Sequence, residues 1–128
     1  MTSPRHIQKT ILVVEDNDLA RRQFALLLGG QGHEVVTVRD GREALDHLAA
    51  NPAPDLVLLD MLMPVLDGWH FLGRLMQQWP PGHIPVLITT ATTILTREWA
   101  AAHGCAGCLR KPVEKEELLD EVRRCLGG

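Results

Sequence analysis

The chain has 128 residues, is 45% hydrophobic and carries a formal net charge of −3. That length suits one ordinary domain with a buried core, and the charge offers no clustered basic face for nucleic acid. No apolar stretch approaches the roughly 20 residues of a membrane span, and the polar start lacks the apolar core of a signal peptide, so a cytoplasmic protein without membrane contact is expected. Three cysteines, Cys105, Cys108 and Cys125, are too sparse for a secreted disulfide framework, and the six histidines lack a metal-ligand spacing.

In chain order, the first strand is expected over Thr10–Val14, an apolar run closed by Glu15-Asp16. Ala20, Phe24, Leu27 and Leu28 then fall on one helical face, and Gly29-Gly30 stops that helix. Asp18 is expected to cap it. A second strand reads over Glu34–Val38. Asp40-Gly41-Arg42-Glu43 reads as a capping box, opening a helix with Ala44, Leu45, Leu48 and Ala49 inward. The third strand, residues 56–59, is closed by Asp60 and followed by Met61-Leu62-Met63-Pro64-Val65-Leu66-Asp67-Gly68. Leu72, Leu75, Met76 and Trp79 form a third helical stripe, ended by Pro80-Pro81-Gly82. The fourth strand reads over Val86–Thr90, and residues 93–103 are the least regular stretch, helical through Glu98-Trp99-Ala100-Ala101-Ala102 with Gly104 as the stop. Gly107–Arg110 is the fifth strand, closed by Lys111-Pro112. Leu118, Val122, Cys125 and Leu126 line the last helix, entered through Glu114, Glu116 and Glu117, whose charges suit a helix N-terminus.

Five strand–helix repeats mean a parallel α/β sheet with right-handed crossovers, and near-continuous apolar strands mean cover on both faces. Five strands are too few for an eight-stranded barrel, which leaves an open doubly wound sheet. In such sheets ligands bind beyond the carboxyl ends of the strands. Glu15-Asp16, Asp60, Thr90 and Lys111 all lie at carboxyl ends. Three carboxylates and an ammonium meeting there would hold Mg²⁺ and place a phosphoryl group on a carboxylate.

These residues carry a family resemblance. Val14-Glu15-Asp16, Asp60 with Met63-Pro64 and Asp67-Gly68, Thr90-Ala91 and Lys111-Pro112 occur in order and at receiver-like spacing. From Lys9 to Leu126 the chain resembles the receiver domain of bacterial response regulators. The resemblance implies a single domain over 1–128 with its core at 9–126, and a flavodoxin-like five-stranded parallel sheet, order 2-1-3-4-5, with five helices. It implies Asp60 as phosphoacceptor. It implies Mg²⁺, with Mn²⁺ as a substitute, on Asp16, Asp60 and the backbone carbonyl of Leu62, with Glu15 acting through water. Thr90, Ala91 and Lys111 would bind the phosphoryl group and start the switch, and Lys111–Pro112 would be a cis peptide. The register within Thr89-Thr90-Ala91 leaves either threonine as the functional one, with Ala91 favouring Thr90.

The implied function is a signalling phospho-switch, which catalyses only its own phosphorylation and dephosphorylation. The implied partners are a sensor histidine kinase or phosphotransfer protein, a downstream protein target, and, for some receivers, a second copy across the fourth helix to fifth helix face. The alternative is an interaction module that keeps the fold and does not use phosphate. With the chain closing at Gly127-Gly128, either a stand-alone receiver or a piece of a larger regulator or hybrid kinase is expected.

Two positions depart from the family pattern. Cys108 stands where the family usually has Tyr or Phe, so the Thr–aromatic coupling is absent or replaced, with Trp99 as a candidate. Leu62, two residues after Asp60, cannot orient a water by hydrogen bonding, which predicts slow loss of the phosphoryl group. Cys105-Ala106-Gly107-Cys108 is a CxxC that lies before a strand, not at the helix N-terminus a reactive thiolate needs, and reads better as two small apolar residues. Trp69, Trp79 and Trp99 read as helix-face packing, with Trp99, Ile94 and Leu95 at a candidate partner surface.

Overall fold

The computed structural model describes residues 8–62, 67–79 and 83–127. Five strands, β1 (Thr10–Val14), β2 (Glu34–Val38), β3 (Leu56–Asp60), β4 (Val86–Thr90) and β5 (Gly107–Arg110), form one parallel sheet in the order β2-β1-β3-β4-β5. Five helices connect and close it: α1 (Asp18–Gly29), α2 (Gly41–Ala50), α3 (Gly68–Gln78), α4 (Arg97–Ala102) and α5 (Lys115–Cys125). This is the flavodoxin-like order that the family resemblance implies.

Alternation along each strand divides the core in two, because successive side chains point to opposite faces. Leu12, Val14, Val57, Leu59, Val86 and Ile88 pack with Ala44 and Leu48 of α2, Phe71, Leu72 and Leu75 of α3, and Ala100 of α4. Ile11, Val13, Leu56, Leu58, Leu87 and Leu109 pack with Phe24 and Leu28 of α1 and Leu118, Leu119 and Val122 of α5. Every residue of β3 and β4 is buried, whereas edge strand β2 is mixed. Central strands are therefore covered on both faces and the edge strands are not.

The caps refine the expected boundaries. Asn17, not Asp18, caps α1: its side chain accepts from the Ala20 N–H at 2.8 Å, and Asp18 is the first helical residue, paired with Arg21. A cap needs extended backbone, and Asn17 has it at φ −75°, ψ 121°. Asp40 caps α2 at 2.9 Å, while Glu43 reaches back to the Arg39 N–H, one residue beyond the usual box partner. Ala49, expected inward, is exposed, because α2 buries the stripe of Gly41, Ala44 and Leu48 and Ala49 lies off it. α4 begins at Arg97 behind the Thr96 cap, and Gly104 ends it at φ +78°. β3 runs one residue longer than expected and takes in Asp60. Gly68 starts α3 against the end of β3, where a Cβ would lie 2.5 Å from Met61 Cα, so any side chain would push the two apart. The Met63-Pro64 and Pro80-Pro81-Gly82 motifs lie outside the described residues.

Candidate functional site

The carboxyl ends of β1, β3 and β5 converge because the backbone ladder continues one residue beyond the strands. The N–H groups of Glu15, Met61 and Lys111 donate to the carbonyls of Val38, Thr89 and Thr90 at 3.1, 3.1 and 2.8 Å. Val14 pairs with Leu59, which sets Glu15 beside Asp60. Glu15 is 1% exposed and Asp60 3% exposed. Lys111 Nζ lies 3.1 Å from Glu15 Oε1 and 3.3 Å from Asp60 Oδ2. The other carboxylate oxygens take backbone donors: Glu15 Oε2 from Asn17 at 3.1 Å, and Asp60 Oδ1 from Leu62 at 3.2 Å. Asp16 is exposed beside them. The Lys111–Pro112 peptide is cis.

The electrostatics of this cluster are unbalanced. Two buried carboxylates share one ammonium. Burial first, and the Glu15 charge second, push the Asp60 carboxyl up from its ordinary 3.8 to about 7, against the pull of the Leu62 N–H and Lys111. Partial burial alone would lower Lys111, but the Asp60 and Glu15 charges outweigh it and hold its ammonium above the usual range. Glu15 Oε1, although close to Lys111, lacks hydrogen-bond alignment and is a buried acceptor without a hydrogen-bond partner among the described residues. Oxygens of Glu15, Asp16 and Asp60 lie within 4.8 Å of one another. Surplus negative charge and an all-oxygen donor set fit a hard divalent cation such as Mg²⁺.

A family model for the response regulator receiver domain matches residues 11–123. The chain belongs to that family. It is 32% identical over 120 residues to the polar-differentiation response regulator DivK of Brucella anthropi, covering 93% of this chain and 97% of that one. Chemotaxis response regulator CheY4 of Vibrio cholerae superposes with a TM-score of 0.81 at 32% identity, covering 93% of this chain and 99% of that one. A response regulator receiver protein from Burkholderia phymatum gives 0.79 at 34% identity, covering 93% and 95%.

The receiver's second group of positions lies on β4, β5 and the loop after β4. Both threonines of the run belong to β4 and both are buried. Thr90 Oγ1 accepts from the Thr92 N–H at 3.1 Å, and with Ala91, Leu62, Trp69 and Ile94 it lines a half-open, mostly apolar cavity of about 400 Å³. Thr89 pairs in register with Asp60, and its hydroxyl is buried without a hydrogen-bond partner among the described residues. The sequence alone leaves Thr89 and Thr90 as alternatives, because strand-face parity needs the register.

Cys108, expected from the resemblance to stand where the family usually has an aromatic ring, is half-buried, and its thiol donates to the Leu95 carbonyl at 3.5 Å. Trp99 packs against the same core cluster as Cys108, meets Trp69 edge-on at 4.9 Å and stacks on His103 at 4.1 Å. Leu95, expected at a partner surface with Trp99 and Ile94, is instead core at 4% exposure, while Ile94 is 78% exposed. Burial raises the thiols of Cys105, to about 11, and of Cys108, which disfavours the reactive thiolate.

Arg21 is a residue that the sequence reading missed. From the first turns of α1 its Nη1 donates to the Glu15 carbonyl at 3.0 Å and the Asp16 carbonyl at 3.3 Å, while Nη2 pairs with Asp18. Its only sequence signal is an arginine five residues after Asp16.

Proposed function

We propose that this receiver is a phospho-switch that takes a phosphoryl group on Asp60 from the phosphohistidine of a sensor histidine kinase or phosphotransfer protein. The observation that carries the reading is the pair of buried carboxylates, Glu15 and Asp60, which share Lys111 as their one ion-pair partner among the described residues. Asp60 Oδ attacks phosphorus; the O–P bond forms as the N–P bond of phosphohistidine breaks, and the imidazole nitrogen leaves with the electron pair. The Asp60 carboxylate is fixed for attack by the Leu62 N–H, and Lys111 faces the phosphoryl oxygens. Placement and charge supply most of the catalysis in phosphoryl transfer. Glu15, Asp16, Asp60 and the Leu62 carbonyl would hold Mg²⁺, which, when bound, offsets the negative charge of the cluster and of the incoming group.

The Thr90 hydroxyl, free to exchange its Thr92 contact for a phosphoryl oxygen, then draws the loop after β4 inward. That shift biases a pre-existing conformational equilibrium and changes the surface offered to a downstream protein or to a second copy across α4 and α5. With Cys108 tied to Leu95, the change passes through the Trp69–Trp99–His103 group instead of an aromatic rotamer at position 108. Among the described residues no helix is long and apolar enough to cross a membrane, and a cytoplasmic signalling role without direct nucleic-acid contact fits the charge.

Acetyl phosphate with Mg²⁺, read by intact mass beside Asp60→Asn, tests the reading. A gain of one phosphoryl group that needs both Mg²⁺ and Asp60 is expected. Folded protein with neither phosphoryl gain nor Mg²⁺ binding would replace the switch by a phosphate-independent interaction module.

A further inference from the structure

Metal sites depend on the groups that aim their ligands as much as on the ligands. In this receiver the segment carrying Glu15 and Asp16 leaves the sheet at the end of β1 and must turn into α1 within three residues. Only one side chain among the described residues is shown bridging the backbone of that segment to the helix. Arg21 Nη1 donates to both the Glu15 and the Asp16 carbonyl, and Nη2 is held by Asp18. Its side chain is 18% exposed, against 78% for Asp18, so the guanidinium is packed under the loop and the carboxylate is its outer anchor. A planar fork suits this bridge, because separate N–H groups can face separate acceptors from one fixed plane.

We propose that Arg21 is a positioning residue for the divalent cation: by clamping the two carbonyls it holds the Asp16 carboxylate within reach of Asp60. The inference rests on the phospho-switch reading above. Arg21 offers no ligand atom itself. Its charge, taken alone, opposes a second cation nearby, since like charges repel. The two possible effects of removing it therefore have opposite signs. If Arg21 acts only as a charge, its loss tightens Mg²⁺ binding. If it acts as a clamp, its loss weakens binding.

Mg²⁺ titration calorimetry on the folded, unphosphorylated chain reads that sign, with far-UV circular dichroism confirming the fold of each variant. Arg21→Met is expected to raise the Mg²⁺ dissociation constant by about tenfold, the lower end of what second-layer groups contribute to metal affinity. Arg21→Lys keeps the charge but loses the fork, and is expected to weaken binding by a smaller factor. It carries the test alone should Arg21→Met not fold. Asp18→Asn, measured at 0.5 M KCl to screen long-range charge, is expected to weaken binding with Arg21 present and to have no effect with Arg21→Met. Unchanged or tighter Mg²⁺ binding in the Arg21 variants overturns the clamp, as does an Asp18→Asn effect of equal size in both backgrounds. Absence of Mg²⁺ binding in the wild-type chain would instead sink the phospho-switch reading beneath it.

Discussion

Two places in this receiver bury carboxylates, and they come out opposite. Glu121 on α5 is 8% exposed, yet its carboxyl is held below the ordinary range. Arg124 is the main cause, with hydrogen bonds from its Nε and Nη2, and Arg97 of α4 adds its charge from 3.8 Å. Arg124 also donates to the Ala106 carbonyl at 2.7 Å, so this corner is a closed structural network. Glu15 and Asp60 are buried more deeply and have one ammonium between them. Cations outnumber the carboxylate in the first place and are outnumbered in the second. A buried charge with its partners complete serves the fold, and one left short of positive charge is a reactive group waiting for a ligand.

The Glu15–Asp60 site depends most on Lys111. Lys111→Met is expected to slow phosphoryl uptake from acetyl phosphate by about 100-fold, the cost of deleting one positioned electrostatic donor. Intact-mass time courses check this, and a rate within a factor of a few of wild type would remove Lys111 from the mechanism. Next, saturating cation should stabilise only the unbalanced site. Mg²⁺ at 100 times its dissociation constant is expected to add about 2.7 kcal/mol to the unfolding free energy. Glu121→Gln should keep that gain and Asp60→Asn should lose most of it, as read by urea denaturation with and without Mg²⁺.

Neutralising each carboxylate in turn sharpens the contrast further. Without Mg²⁺ at pH 8, Asp60→Asn is expected to stabilise the fold by about 1 kcal/mol, near 3–6 °C in Tm, whereas Glu121→Gln lowers it by a similar amount. Equal signs for the two variants would show that burial alone, not charge balance, governs both. The pH profiles follow. Asp60 is raised from 3.8 to about 7, so in that window the folded chain binds more protons than the unfolded one, and stability falls as pH rises through it. Glu121 is lowered, so its stabilisation is present above its ordinary value of 4.5 and disappears on acidification below it. Urea midpoints from pH 5 to 8 should therefore decline in the wild type and flatten in Asp60→Asn. Finally, Leu62→Asn is expected to shorten the lifetime of the phosphorylated form several-fold, since an amide can orient a water where an apolar side chain cannot. An unchanged lifetime by intact mass would remove position 62 from that control.

Much of this was legible before the structure. β1, β3 and β4 read as strands because a doubly covered parallel sheet demands unbroken apolar runs, and Glu15, Asp60, Thr90 and Lys111 announced themselves by closing such runs. Asn17 was missed as a cap because Asn17 and Asp18 are both good capping residues, and only backbone angles choose between neighbours. Ala49 was placed inward because a small apolar residue fits either side of a helix. Leu95 reads as surface in the sequence because the stretch before α4 has no period to reveal which way a side chain turns.

The sequence by itself determined the alternation of strands and helices, the parallel sheet and the charged residues at its carboxyl edge, since local periodicity and strand ends are local properties. Tertiary structure decided which of those charges are buried, that one ammonium serves two carboxylates, that Thr89 shares a register with Asp60, and that Arg21 grips the acidic loop from α1. Those facts depend on distances between segments far apart in the chain, and electrostatic energies depend on such distances and on the exclusion of water, neither of which a linear pattern contains.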